Sequence, residues 1–149
     1  MKIRYFSGHT REFNVVDEEI PYPEGRLIVS RTTTRGIITH ANSAFVEMSG
    51  YEAHELIGAD HSLLRHPDMP KEAFRDLWST VLAGRKWQGF VKNLRKDGRF
   101  YWVLATVIPN IRKGQIQGFT SVRRKPSRRK IDEIIPVYEQ MRFDEERSI

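Results

Sequence analysis

The chain has 149 residues, 39% hydrophobic and 30% charged, with a formal charge of +6, a balance that suits one globular domain around a single core. It contains no cysteine, which excludes disulfides, thiolate nucleophiles, iron–sulfur clusters and cysteine-bound zinc. No apolar run approaches the roughly 18 residues of a membrane span, and the opening MKIRYFSGHTREF lacks the apolar region of an export signal. A cytoplasmic location without direct membrane insertion is therefore expected.

Residues 1–26 show little periodicity, carry the acids Asp17, Glu18 and Glu19, and end in IPYPEG, which reads as an extension closed by a turn. LIVSRT and IITHA, on either side of TTRG, predict a hairpin. Asn42 precedes SAFVEMS and Gly50 follows it, the start and stop signals of a short helix. YEAHELIG predicts another helical turn closed by Gly58. In ADHSLLRHPDMP, Pro67 and Pro70 flank Asp68 and restrict the backbone, so a rigid loop is expected. Ala73, Phe74, Leu77, Trp78, Val81 and Leu82 then recur at helical spacing up to Gly84. WQGFVKNLR, FYWVLATVIPNI and IQGFTSVRR, joined at KDG and RKGQ, predict three antiparallel strands. IDEIIPVYEQM carries a helical apolar stripe interrupted by Pro136.

Strands in two groups with helices between them predict an α+β fold: a five-stranded antiparallel sheet with short helices on one face. That face is expected to hold core and ligand, leaving the other for a partner or a flanking segment. The expected boundaries are an extension over 1–26, the core domain over 27–125, and a basic junction with a C-terminal helix and tail over 126–149. Arg123, Arg124, Lys125, Arg128, Arg129 and Lys130 read as a solvated junction or a contact for an acidic surface, and the tail beyond them is acidic. No DNA-binding motif accompanies this charge, so nucleic acid is not an expected partner. The histidines lack paired metal spacing, although His54, His61 or His66 could each serve as a single axial ligand to haem. A P-loop, a nucleophile elbow, GxGxxG and paired carboxylates are all missing, so no catalytic residues and no metal site are assigned.

The segments ITHANSAFVEMSGY, LLRHPDMPKEAF and KWQGFVKNLRKDGRFYWV together resemble the PAS domain of bacterial aerotaxis receptors and their stand-alone relatives, over about Leu27 to Lys125. The resemblance implies a PAS fold and non-covalently bound FAD. It further implies that the flavin's redox state, set by oxygen and electron transport, is relayed to a chemotaxis transducer or its HAMP-like region, with a homodimer as a further partner state. By the same resemblance Arg65, His66, Asp68 and Trp87 are linked to flavin binding, and Asn42 to binding or signalling. Two departures stand out. Glu52 follows Gly-Tyr where relatives usually carry Ser or Thr. The chain stops at Ile149 where the receptors continue into a membrane segment and signalling rod, so a stand-alone sensor or a truncated piece is expected.

Each of these residues also has a plain structural reading. Trp87 suits edge packing as well as stacking on a ligand ring. Arg65 and His66 suit a solvated turn, or a dinucleotide pyrophosphate held by charge-assisted bonds. Asp68 and Asn42 suit helix caps. Asn93 is disfavoured mid-strand, which hints at a polar task at a ring edge. Phe74 and Trp78 fit the core stripe, with one of them touching the ring. The rival functions are a haem- or metabolite-binding PAS sensor, a small flavin reductase, and a ligand-free interaction module.

Overall fold

A computed structural model of the chain describes residues 2–4, 10–12 and 15–147. Strands β1 (Lys2–Arg4) and β2 (Thr10–Glu12) pair antiparallel as a separate ribbon. The main sheet contains β3 (Ile28–Thr32), β4 (Ile38–Ala41), β5 (Trp87–Leu94), β6 (Phe100–Arg112) and β7 (Gln115–Arg124). Their order is β4-β3-β7-β6-β5, with every pairing antiparallel. Between β4 and β5 lie helices α1 (Ser43–Ser49) and α2 (Ala53–Leu56), a 3-10 turn (His61–Leu64) and α3 (Lys71–Leu82). A last helix, α4, covers Arg128–Arg147. This is the expected α+β architecture.

Local chemistry explains the short elements. The Asn42 carboxamide oxygen accepts from Phe45 N–H and from Val29 N–H, both at 3.0 Å, so one side chain caps α1 and ties it to β3. Gly50, at φ 77°, closes α1 in the left-handed region where a side chain would be strained. At the departure from the family pattern, Glu52 N–H donates to the Glu55 carboxylate at 2.9 Å, so α2 keeps a bonded first turn. Asp60 starts the 3-10 turn by accepting from Ser62 N–H at 2.9 Å.

Side chains alternate across the sheet. One set, including Tyr101, Val103 and Ile28, is fully buried under α1, α3 and the 3-10 turn together with Phe45, Leu56, Leu64 and Val81. The opposite face is covered in part by α4. Tyr138 stacks on Trp102 with ring centroids 6.4 Å apart and donates from its hydroxyl to the Phe90 carbonyl at 2.6 Å. The interruption expected at Pro136 does not occur, and α4 runs through it. Pro136 is exposed, so the missing N–H falls on the solvent side, while buried Ile131 and Tyr138 anchor the helix on either side of it.

Both end segments pack against the domain. Parts of the expected 1–26 extension lie outside the described residues, but its later half docks on the domain. Ile20 N–H donates to the Phe100 carbonyl at 2.7 Å, and Phe100 N–H donates to that of Glu18 at 3.1 Å. Buried Tyr22 points its hydroxyl between the carbonyls of Arg26, at 2.8 Å, and Arg123, at 2.7 Å. Packing therefore continues across the boundary expected at residue 26, and α4 carries it past residue 126.

Candidate ligand cavity

Between α3, the 3-10 turn, the β3–β4 hairpin and the inner sheet face lies a cavity of about 520 Å³, within the range of small-molecule and cofactor sites. The α3 stripe divides: Ala73 and Val81 enter the core, whereas Phe74, Leu77, Trp78 and Leu82 line the cavity. Trp78 meets Phe119 edge to face, with centroids 5.5 Å apart. Gly118 lets β7 approach β3 closely at this rim, since a Cβ there would sit 2.3 Å from the Thr32 carbonyl oxygen.

Polar groups gather along the sheet side. Phe119, Ser121 and Arg123 project from the same face of β7, and all three line the cavity. Arg123 is 2% exposed. Its Nη2 donates to Ser30 Oγ at 2.7 Å and to His61 Nε2 at 2.8 Å, and its guanidinium lies 4.8 Å from the centroid of the Phe45 ring. No carboxylate pairs with it among the described residues. Burial lowers its pKa to about 10, which leaves it charged at neutral pH. Because a guanidinium can only donate, His61 must accept through an unprotonated Nε2. Burial, and next the Arg123 charge, push its pKa down to about 3. Asn93 is also buried in the lining. Arg123 Nη1 has no hydrogen-bond partner among the described residues, while the Asn93 carboxamide interacts with the Tyr101 hydroxyl.

Arg65 and Asn93 reach the lining together, since a backbone bridge joins the two residues; the Arg65 guanidinium rests 4.3 Å from the Phe74 ring centroid. His66, Asp68, Trp87 and Asn42 lie outside the lining. The bridged backbone at Arg65 is extended, so the next side chain turns to the opposite side. His66 Nδ1 accepts from Asp68 N–H at 3.0 Å, its ring sits edge-on to Phe100 at 5.9 Å, and burial then Lys92 lower its pKa to about 4. Burial works against the Asp68 carboxylate, but the hydrogen bond from Lys92 Nζ at 2.8 Å and the charges of Lys92, His66 and Arg142 together outweigh it and hold the pKa down. Asp68 does not cap α3. The N–H groups of Lys71 and Glu72 instead donate to the Glu145 carboxylate of α4, at 3.1 and 2.8 Å. The Trp87 indole N–H donates to Asp76 at 2.8 Å, and its ring folds over Gly89, where a Cβ would meet it at 2.5 Å. The Asn42 carboxamide is spent on its caps and on the Leu27 carbonyl, 2.8 Å away.

Two residues of the polar side escaped assignment from sequence. His61 entered only as a haem ligand, and Arg123 was grouped with the solvated basic block, whereas it is buried. The two-residue period of Phe119, Ser121 and Arg123 was the available signal. Among the described residues no cluster of three or more metal-binding side chains occurs, and no helix is long and apolar enough to cross a membrane.

Two depressed histidines give a pH dependence with a definite sign. The unfolded chain binds protons at His61 and His66 below about pH 6.5, and the folded chain does not until about 3 and 4. Stability is therefore expected to be fully present above pH 6.5 and to fall as pH drops toward 4. Each histidine contributes about 1.4 kcal/mol per pH unit inside its window. Urea midpoints between pH 7 and 4.5 check this, and a flat profile contradicts the buried neutral assignment.

A five-stranded antiparallel sheet with short helices on one face and a ligand-sized cavity between them defines a sensor-type α+β domain. Residues 38–123 match the family described as PAS fold, and the chain belongs to that family. It is 43% identical over 124 residues to the aerotaxis receptor of Escherichia coli (strain K12), covering 83% of this chain and 24% of the receptor. It is 28% identical over 102 residues to the nitrogen fixation regulatory protein of Klebsiella pneumoniae, covering 68% and 21%. The chain thus spans about a quarter or less of these relatives' lengths. The light-state structure of the blue-light photoreceptor Aureochrome1 LOV superposes with a TM-score of 0.64 at 21% identity, covering 76% of this chain and 89% of that one, a likeness of fold.

Proposed function

We propose that the domain is a redox sensor that encloses the isoalloxazine of FAD in this cavity and relays the flavin's electron count to a signalling partner. The observation that carries the reading is the buried Arg123 guanidinium, its Nη1 unpartnered among the described residues, together with the buried Asn93 amide in the lining of a cavity walled by Leu77, Trp78, Val91 and Phe119. Apolar and aromatic walls suit a flat ring, and guanidinium and amide donors in the lining suit a ligand edge made of acceptors. The dione side of a flavin has that pattern. Arg35 and Arg65, both in the lining, bring positive charge suited to a pyrophosphate. His66, Asp68 and Trp87 serve the site from behind, by bracing the loop and strand that carry Arg65 and Asn93.

Bound flavin would supply a centre that gains and loses electrons together with a proton. A change in its charge is felt by Arg123, whose guanidinium is held by Ser30 and His61 on two other elements. Any response requires that the ligand states bind two protein conformations differently. The β7 strand, which carries Arg123, and the segment leading to α4 are the expected movers. The similarity to the aerotaxis receptor supports a chemotaxis transducer as the partner class, with the domain acting from the cytoplasm as a sensor rather than an enzyme. The haem alternative gains no support at His61, because its Nε2 lone pair already accepts from Arg123.

Freshly purified protein is expected to show the twin absorption bands of oxidised flavin, or to quench the fluorescence of added FAD as it binds. Folded, colourless protein that takes up neither FAD nor FMN overturns the reading, and a Soret band replaces it with haem.

A further inference from the structure

The end of α4 reaches the segment that borders the cavity. Helix α3 lacks a side-chain cap of its own, since Pro70 occupies the cap position and Asp68 is engaged with Lys92. Its first free N–H groups, on Lys71 and Glu72, are instead satisfied by Glu145 across more than 70 residues of chain. One helical turn earlier on α4, the Arg142 guanidinium donates to the Asp68 carbonyl. Both contacts fall on the stretch between Arg65 and Phe74, the two residues stacked in the cavity lining.

We infer that Glu145 and Arg142 are positioning residues for the cavity, forming a clamp by which α4 holds the HPDMP loop and the first turn of α3 in their ligand-binding placement. Glu145 brings a negative charge to the positive end of α3 and covers donors that nothing else covers. Tyr138, bonded to the Phe90 carbonyl, seats α4 on the sheet so that its end meets this loop. Coupling of this kind is reciprocal: if a seated α4 favours the occupied cavity, the occupied cavity favours a seated α4. The link to occupancy rests on the flavin reading, whereas the clamp itself is open to direct test.

Glu145→Ala and Glu145→Gln are to be compared with wild type in the full chain, with Glu146→Ala, at an exposed neighbour, as the control. Amide exchange mapped along the chain reads the clamp. Glu145→Ala is expected to speed exchange about five- to tenfold at residues 71–74 and in the last two turns of α4, the effect of losing a cap, with β5 to β7 unchanged. Glu145→Gln, which keeps an acceptor, restores part of the protection. FAD dissociation followed by fluorescence should accelerate by a similar factor in Glu145→Ala alone. Exchange that is unchanged, or raised uniformly through the sheet, overturns the clamp. Local exchange with wild-type FAD dissociation overturns its role in positioning the cavity. A wild-type protein that takes up no FAD overturns the flavin reading, and the exchange map still decides the clamp.

Discussion

Arg123→Met should weaken FAD binding at least tenfold while leaving the flavin-free protein about as stable as wild type. The side chain is 2% exposed, with no carboxylate beside it among the described residues, so the flavin-free domain keeps an uncompensated cation in its interior. Such a charge costs several kcal/mol of desolvation, and an apolar residue of similar length relieves it. Against that relief stand Ser30 Oγ and His61 Nε2, which lose their donor at about 1–3 kcal/mol per group left unsatisfied. The two effects are of similar size and opposite sign, which is why little net change in the urea midpoint is expected. Ligand binding has no such offset. A hydrogen bond from a charged donor contributes roughly 1.5–3 kcal/mol, or about 10- to 150-fold in affinity. Arg123→Lys keeps the charge without the fork and should fall between the two. Fluorescence-quench titration reads the affinity, and an unaltered dissociation constant would remove Arg123 from the site.

Phe45→Ala carries the largest stability loss expected for a single change, about 3–5 kcal/mol. The ring is 0% exposed and lies in the first turn of α1. It supports the Arg123 guanidinium at 4.8 Å and stacks on His61 with centroids 6.1 Å apart. Removing it opens a void under both polar groups, which lets them shift away from the cavity. Phe45→Leu keeps most of the volume and should cost under about 1.5 kcal/mol. Denaturant midpoints of the three proteins measure the series, and a loss below 1 kcal/mol for the alanine variant would show that Phe45 is not the support described.

The family signature and the arrangement of elements were readable because each depends on neighbours in sequence. Asn42 and Gly50 bound α1, the KDG and RKGQ turns join β5, β6 and β7, and the helical spacing of Phe74, Leu77 and Trp78 marks α3. Asn93 was singled out because an amide mid-strand conflicts with local preference, and the structure accounts for it as a buried residue of the cavity lining. The loop around HPDMP was harder. Its residues were read as one ligand-facing group, yet an extended backbone sends Arg65 to the cavity and His66 to Phe100 on the other side of β5.

Sequence alone was enough for the five strands of the main sheet, the helices, the turns between them and the family, since caps, periodicity and turn residues act over a few positions, but not for the β1–β2 ribbon. Which charges are buried was decided only by the tertiary structure. Arg123 lies one residue before the end of β7, beside a run of solvated basic residues, and is distinguished from them by facing Phe45 and His61, far away in the chain. The cap of α3 likewise comes from Glu145, and α4 passes through Pro136 because Ile131 and Tyr138 find the sheet. Desolvation and long-range partners set these outcomes, and neither is written in the residues next door.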